Sequence, residues 1–490
     1  MLGIDRIISR LMKISEIQRQ SLVSLTWQVC FTFIGFLSTI YFAHSVGASV
    51  LGVYFLFLAY FGVLSLFIDG GFIGAAVKRI SEGYDKNEYF TAFIVLRTVF
   101  IVTVLILLII FKNYFADIQD SSIFSFLLIA LLVSSIYGAL QGGVAGAGKM
   151  GVHATSNFIN NVARVIIQVL AVYFGYEALG LVGGFVGGML IGCLIDIKYI
   201  DLAFSRFSWK HIKSLSTFSF WLFLTSSGVI AYSYADTIMI GYYMDDADVG
   251  IYRVVFQFAS LALIVTTELR GVLWPKSSYW SASNQTELIE KSMSKAFSYS
   301  LLLPIPILMG GVVLGDKLLY FLYGEDFATG YDTLVLLLLV QIINVFQVLY
   351  TMYLGSLDRQ EDAFKVTAFA AFINVILNVL LIPVLGILGA AVATFVSMAI
   401  NAYLAGRLLS KSLSIELDYH SIATTVKAAT IMAGIVGFYR FIFPLTNIWI
   451  TLFGVLFGVV IYGVLIIKLE RNISNDFKKI LSQISNSSVK

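Results

Sequence analysis

Phe372-Ile-Asn-Val-Ile-Leu-Asn-Val-Leu-Leu-Ile-Pro383 runs directly into Val384-Leu385-Gly386-Ile387-Leu388-Gly389-Ala390. No charge interrupts it, and its two polar side chains, Asn374 and Asn378, stand four residues apart and so share one helix face. Followed outward, the stretch resolves into two apolar runs, 361–382 and 384–408. Each has the roughly 20 residues that a helix needs to cross a bilayer core.

The same reading extends over the whole chain. Of its 490 residues, 59% are apolar and only 12% charged, with a mean hydropathy of +0.89. A soluble domain carries about 25% charged residues to face water, so most of this surface is expected to face lipid. Runs of spanning length predict an all-α integral membrane protein of about fourteen helices. They fall near 20–43, 49–70, 89–112, 122–146, 152–175, 179–199, 215–242, 249–273, 293–314, 330–356, 361–382, 384–408, 421–441 and 446–468. The longest outer connections, 113–121 and 315–329, are too short to hold a soluble domain. The longest inner ones are 200–214 and 274–292.

Charge placement sets the expected orientation. With the N-terminus inside, Lys78, Arg79, Lys86, Lys149, Lys198, Arg206, Lys210, Lys213, Arg270, Lys276, Lys291, Lys295, Arg359, Lys365, Arg407, Lys411 and Lys427 all gather on the inner side. The outer turn at 243–248 is acidic. The positive-inside bias therefore predicts both termini in the cytoplasm. The basic segment 1–19 reads as a cytoplasmic tail and not as a cleavable signal.

The opening stretch also has an echo. Phe158-Ile159-Asn160 matches Phe372-Ile373-Asn374, and Leu179-Gly180-Leu181-Val182-Gly183 matches Leu385-Gly386-Ile387-Leu388-Gly389. Earlier in each half, Gly52-Val53-Tyr54 matches Gly250-Ile251-Tyr252, with Lys78 and Lys276 at equal distances beyond. The common order predicts a duplication. The organisation expected is an N-lobe over 20–199, a linker at 200–214, a C-lobe over 215–408, an accessory pair over 421–468 and a cytoplasmic tail over 469–490. Two parallel six-helix repeats predict a central cavity along the membrane normal. The Gly-x-x-Gly matches also have a plainer reading as helix-packing sites.

On these residues, together with Asp236-Thr-Ile-Met-Ile-Gly241 and Val249-Gly250-Ile251-Tyr252, the chain resembles the multidrug/oligosaccharidyl-lipid/polysaccharide exporter superfamily. Within it, the chain is similar to the polysaccharide flippases over nearly its full length. The resemblance implies alternating access, a substrate head group held in a central cavity that is often cationic, and no catalytic signature. It does not identify the sugar.

Ionisable groups inside a bilayer cost about 2.5–3.5 kcal/mol each on insertion scales, so each one needs a reason. Arg164 lies about 18 Å from the inner end of its span at 1.5 Å per residue. Asn157, Asn161, Arg164 and Gln168 follow at helical spacing on one face. They are read either as substrate contacts in a cavity or as a stripe that bonds neighbouring helices. Arg97, about 12 Å into its span, faces the cavity or snorkels inward. Arg253 and Gln257 share a face and are read as head-group contacts or as an interfacial anchor. Asp236 is read as a cavity or gate residue, with a structural ion pair as the other reading. Asp69, Glu268 and Arg270 form a possible inner gate or are solvated at the interface. Asn374, Asn378, Gln341, Asn344 and Gln347 are weaker candidates for sugar contacts. His44 and His153 are read as interfacial.

An arginine matches phosphate oxygens with a planar fork of donors, and a lipid-linked sugar carries such a phosphate. An inside-negative potential favours outward movement of an anion by about 2.3 kcal/mol per charge per 100 mV. The reading is therefore a flippase for a polyprenyl-phosphate-linked oligosaccharide in the cell membrane. Its expected partners are that substrate, membrane lipids, and glycosyltransferases or a polymerase of the same pathway. A cation-coupled multidrug exporter of the same superfamily is the first alternative, and it predicts mid-depth carboxylates. A membrane glycosyltransferase or polysaccharide polymerase is the second, and the short outer loops oppose it.

Gly143-Val-Ala-Gly-Ala-Gly148-Lys149-Met150 nearly matches a phosphate-binding loop, but Met150 stands where the magnesium-binding hydroxyl belongs. No cofactor, metal cluster or nucleic-acid surface is expected. Cys30 and Cys193 lie in separate apolar runs and predict no disulfide framework.

Overall fold

The computed structural model describes residues 16–112 and 121–470. Most of both expected tails, and nearly all of the connection expected at 113–121, lie outside the described residues. Among the described residues all regular structure is helical. In chain order the helices are α1 (Glu16–Asp69), α2 (Phe72–Ser81), α3 (Lys86–Ile110), α4 (Ser121–Gly146), α5 (Met150–Tyr173), α6 (Glu177–Tyr199), α7 (Trp209–Tyr243) and α8 (Asp246–Ser260). After a short 3₁₀ turn follow α9 (Ile264–Ala282), α10 (Thr286–Leu301), α11 (Pro304–Tyr323), α12 (Glu325–Ala328), α13 (Tyr331–Ser356), α14 (Gln360–Leu385), α15 (Ile387–Leu409), α16 (Tyr419–Ile442) and α17 (Ile448–Leu469).

Eleven described segments are long and apolar enough to cross a membrane. The segment over α3 has a mean hydropathy of 3.0, yet only 22% of it is buried. Its outward side chains include Val95, Val99, Val102, Ile106, Ile109 and Ile110. A continuous apolar face of this kind suits lipid, since soluble monomers seldom expose more than a few hundred Å² in one patch. The protein is a multi-pass membrane protein. Helix α5 is not among the eleven because Asn157, Asn160, Asn161, Arg164 and Gln168 lower its hydropathy.

Every predicted span coincides with helix, but several helices extend further. The spans expected at 20–43 and 49–70 are joined into α1, which loses helical geometry only at Gly47 (φ 77°, ψ −179°). Glycine tolerates that left-handed φ without a Cβ clash. Helix α2 occupies what the sequence reading treated as connection. The segment 274–292 is mostly helix as well, shared between α9 and α10. These parts carry too many polar residues to register as spans, and apolar length detects membrane crossing, not helix as such.

Contacts divide the chain into Met1–Gly250 and Ile251–Lys490. The boundary falls beyond the linker expected at 200–214 because α7 packs on α1, α2 and α3 of the first unit. Its start is built locally: the Ser208 backbone N–H donates to His211 Nδ1 at 3.0 Å in a capping box, which satisfies otherwise orphan helix-end groups. In the second unit, α13 packs on α15 and α14 on α15, while α16 and α17 pack on each other and on α11. Arg440 in the last turn of α16 forms a two-pronged pair with Asp316 of α11, at 2.8 and 2.9 Å. On the expected topology Arg440 sits at an outer helix end, against the basic-inside trend, and this pairing explains its place there.

Two sequence-matched positions can be compared directly. The shift that takes Phe158 to Phe372 takes Asn160 to Asn374, and the shift that takes Leu179 to Leu385 takes Gly188 to Thr394. In the first unit α5 meets α6 where a Cβ on Gly188 would lie 2.7 Å from Asn160 Oδ1. In the second, Asn374 Nδ2 lies 3.4 Å from Thr394 Oγ1, between α14 and α15.

Candidate functional site

Glycines set the surroundings of Arg164. Gly180, Gly184, Gly188 and Gly192 recur every fourth residue on α6, giving one side-chain-free stripe. A Cβ on Gly184 would lie 2.4 Å from Gln168 Cγ, and one on Gly188 would lie 2.8 Å from Arg164 Cβ. The stripe therefore lets α5 press against α6, the geometry that small residues permit in membranes. Arg164 is half-buried. Its guanidinium carbon lies 6.0 Å from the Phe185 ring centroid, and Phe185 packs edge-on to Phe57 and Phe61 of α1. At this distance the ring face adds a modest cation–π attraction.

The polar stripe of α5 divides. Gln168 is buried, and its amide donates to Tyr54 Oη at 2.9 Å and to the Leu181 carbonyl at 2.7 Å. It joins α5 to α1 and α6 and does not line a cavity. Asn157 is tied to Tyr137 and Gln141 of α4, at 3.0 and 3.1 Å. Asn161 donates to the Asn157 carbonyl at 2.9 Å and stays half-buried. Gln168 and Asn157 thus bond neighbouring helices, the second of the two readings of this stripe.

Arg97 and Asp69, expected in different roles, form one ion pair at 2.8 Å. Arg97 is 5% exposed and also donates to the carbonyls of Ser135 at 2.8 Å and Ser134 at 3.3 Å. Gly138 leaves room for it, since a Cβ there would lie 2.4 Å from the guanidinium. Asp69 Oδ1 further accepts the Ile73 N–H at 3.2 Å, at the start of α2. Arg97 is therefore a lock joining α1, α2, α3 and α4, and neither a cavity cation nor a snorkelling group. Both Gly70 and Gly71 take left-handed backbone (φ 53° and 76°), which turns the chain beside this lock.

Asp236 is buried in α7. Arg253 and Gln257 are half-buried on α8, with the Arg253 guanidinium 5.5 Å from the Phe256 ring centroid. On α9, Glu268 is half-buried, and Arg270 is exposed with its guanidinium 5.4 Å from the Trp274 ring centroid. Asn374 and Asn378 are buried and joined at 3.1 Å. Asn344 donates to Gln341 at 3.2 Å. Two hollows of the second unit contain none of the predicted substrate or gate residues. One, of about 670 Å³, is lined mainly by Leu308, Met309, Leu336, Leu339 and Leu388. The other, of about 1160 Å³, is lined by Trp280, Lys291, Lys295, Glu287 and Glu416 among others.

Sequence reasoning passed over Asp196, Tyr54, Tyr137, Gln141 and the Asp316–Arg440 pair. The criterion of an ionisable group inside an apolar span would have caught Asp196 and Arg440. The phosphate-loop lookalike is a helix end: α4 stops at Gly146, Gly148 takes φ 82°, and the Lys149 N–H closes back on the Val144 carbonyl at 3.1 Å. That is the six-to-one bond of a Schellman cap.

Helices of spanning length and a glycine-packed pair bearing a mid-span arginine define an all-helical membrane protein. Residues 17–281 match the model of the polysaccharide biosynthesis protein family, and the chain belongs to that family. Residues 222–380 also match the MatE model. The "Probable low-salt glycan biosynthesis flippase Agl15" of Haloferax volcanii is 28% identical over 87% of this chain and 90% of its own. The "Probable flippase AglR" of the same organism is 25% identical over 96% of this chain and 99% of its own. Among solved structures, "Lipid II flippase MurJ, inward closed conformation" superposes with a TM-score of 0.79 at 17% identity, covering 92% of this chain and 99% of that one. This shows that the fold is shared.

Proposed function

We propose that this protein flips a lipid-linked oligosaccharide across the cytoplasmic membrane by alternating access, with Arg164 engaging the phosphate of the lipid carrier. The observation that carries the reading is the state of the two deep arginines of the first unit. Arg97 is sealed and neutralised by Asp69. Arg164, at mid-length of α5, is a half-buried residue whose guanidinium lies beside an aromatic ring. A membrane helix that retains a costly cation without burying it fully is suited to a passing anion. The names of the full-length relatives support a glycan-pathway flippase and a transporter in place of an enzyme. Asn161, Arg253 and Gln257 are the accompanying candidates for the head group, and Asp236, Glu268 and Arg270 for gating. Glycosyltransferases or a polymerase of the same pathway are the proposed protein partners.

The test is flipping of an undecaprenyl- or dolichyl-phosphate-linked sugar in proteoliposomes. Removing one charge-assisted hydrogen bond costs about 1.5–3 kcal/mol, so Arg164→Ala should slow flipping by about 10- to 100-fold, with Arg164→Lys in between. Wild-type rates in Arg164→Ala would remove the phosphate assignment. No flipping by the wild type with any polyprenyl-linked sugar would remove the function.

A further inference from the structure

A second polar centre lies among α4, α5 and α6, separate from the Arg164 guanidinium. Asp196, near the end of α6, has no solvent exposure. Its Oδ2 accepts from Gln141 Nε2 at 2.9 Å, while Oδ1 is buried without a hydrogen-bond partner. Gln141 Nε2 spends its other hydrogen on Tyr137 Oη at 3.0 Å. Tyr137 in turn donates to Asn157 Oδ1, and Asn157 Nδ2 donates to Gln141 Oε1, which closes a ring of three side chains. The remaining Asn157 hydrogen points to His153 Nε2 at 3.3 Å.

The titratable groups around Asp196 are Tyr137 from α4, His153 from α5 and Cys193 on its own helix, with the Ser156 hydroxyl alongside. Helix α1 also packs on α6, and among the described residues it brings no charged group to Asp196. Among these only His153 can carry a positive charge, and only when protonated. Lys149, in the turn between α4 and α5, is occupied by the Tyr199 carbonyl and Asp201. An ionised Asp196 would be a sealed negative charge beside a neutral amide and a neutral hydroxyl, an expensive arrangement in low dielectric. A neutral carboxyl needs only to place its hydrogen, and Ser156 offers an adjacent oxygen, since its own hydrogen goes to the Gly192 carbonyl at 3.2 Å.

We propose that Asp196 is a proton-binding site of the first unit: in this conformation its Oδ1 carries a proton taken from water, with half-buried His153 at the start of α5 marking the entry side. The proton leaves to water when α4, α5 and α6 part enough to wet the carboxylate. Proton binding and the conformational equilibrium are then linked. Low pH favours the sealed arrangement, and rising pH on the entry side favours its opening. That use of the proton rests on the transport reading above; the site itself does not.

The test combines infrared difference spectra and transport, both on the full chain in proteoliposomes. We expect a protonated-carboxyl band that persists at pH values where exposed carboxyls are ionised and that vanishes in Asp196→Asn. Gln141→Leu, which removes the amide donor to Oδ2, should shift that band to higher frequency, and His153→Gln should leave it in place. Asp196→Asn should also lose the pH dependence of flipping, because the amide mimics the protonated form permanently. Absence of any band assignable to Asp196 overturns the site. A band lost in Asp196→Asn with an unchanged pH profile overturns the coupling. An intact band in a protein that flips nothing leaves the site standing and sinks the transport reading instead.

Discussion

At the scale of single residues, two arginines of similar sequence context end in different environments. Arg97 and Arg164 both interrupt apolar spans, and spacing alone makes either a cavity residue. The difference comes from what other helices bring. Asp69 and two helix carbonyls meet Arg97, whereas Arg164 meets the backbone-tight face of α6 and an aromatic ring. Removing one partner of a buried ion pair costs about 3–5 kcal/mol. Asp69 keeps 30% side-chain exposure, so water will screen part of that loss. Arg97→Ala should therefore destabilise the first unit by about 2–4 kcal/mol, read as a lower unfolding midpoint in detergent. Arg97→Met with Asp69→Leu should recover most of it. Additive losses in the double variant would mean that the two charges do not depend on each other.

At the scale of elements, the glycine stripe of α6 governs how α5 is presented. Inserting side-chain bulk into a well-packed contact costs about 1–3 kcal/mol. Gly188→Leu would drive atoms into the Asn160 backbone and the stem of Arg164. It should lower stability by that order and reduce flipping even if the guanidinium is intact. Gly183→Ala faces only the Phe126 ring at 3.9 Å and should behave as wild type in both measurements. Equal damage from the two would show that the stripe does not set the approach of α5. The stripe was legible in the sequence as small residues at fourfold spacing. Which helix it receives was not, because Gly-x-x-x-Gly carries no information about its partner.

At the scale of the whole molecule, the duplication makes a reciprocal prediction. A Cβ on Gly52 would lie 1.7 Å from the Asp246 carbonyl oxygen, and one on Gly250 would lie 2.0 Å from the Ala48 carbonyl oxygen. The two repeat-matched glycines thus touch each other's segments in the same way, α1 against the start of α8. Gly52→Val and Gly250→Val should each impair flipping strongly, and to a similar extent. Because both wedges open one contact, the double variant should be little worse than either, as expected for sites that share a partner. Flipping rates of the three variants decide this, and fully additive losses would separate the two contacts.

Apolar run length was enough to recognise an all-helical, multi-pass membrane protein. This signal is local, and a bilayer enforces it on each span separately. Helices α2, α9 and α10 escaped in part because helical stretches rich in polar residues leave no such run. The tertiary structure alone decided the fate of each buried polar group: Gln168 went to Tyr54, Asn157 to Gln141, Arg97 to Asp69, and Asp196 to the Gln141 amide. A buried charge or amide is defined by the partners that distant helices bring to it. Which helices those are depends on packing that no stretch of sequence contains by itself.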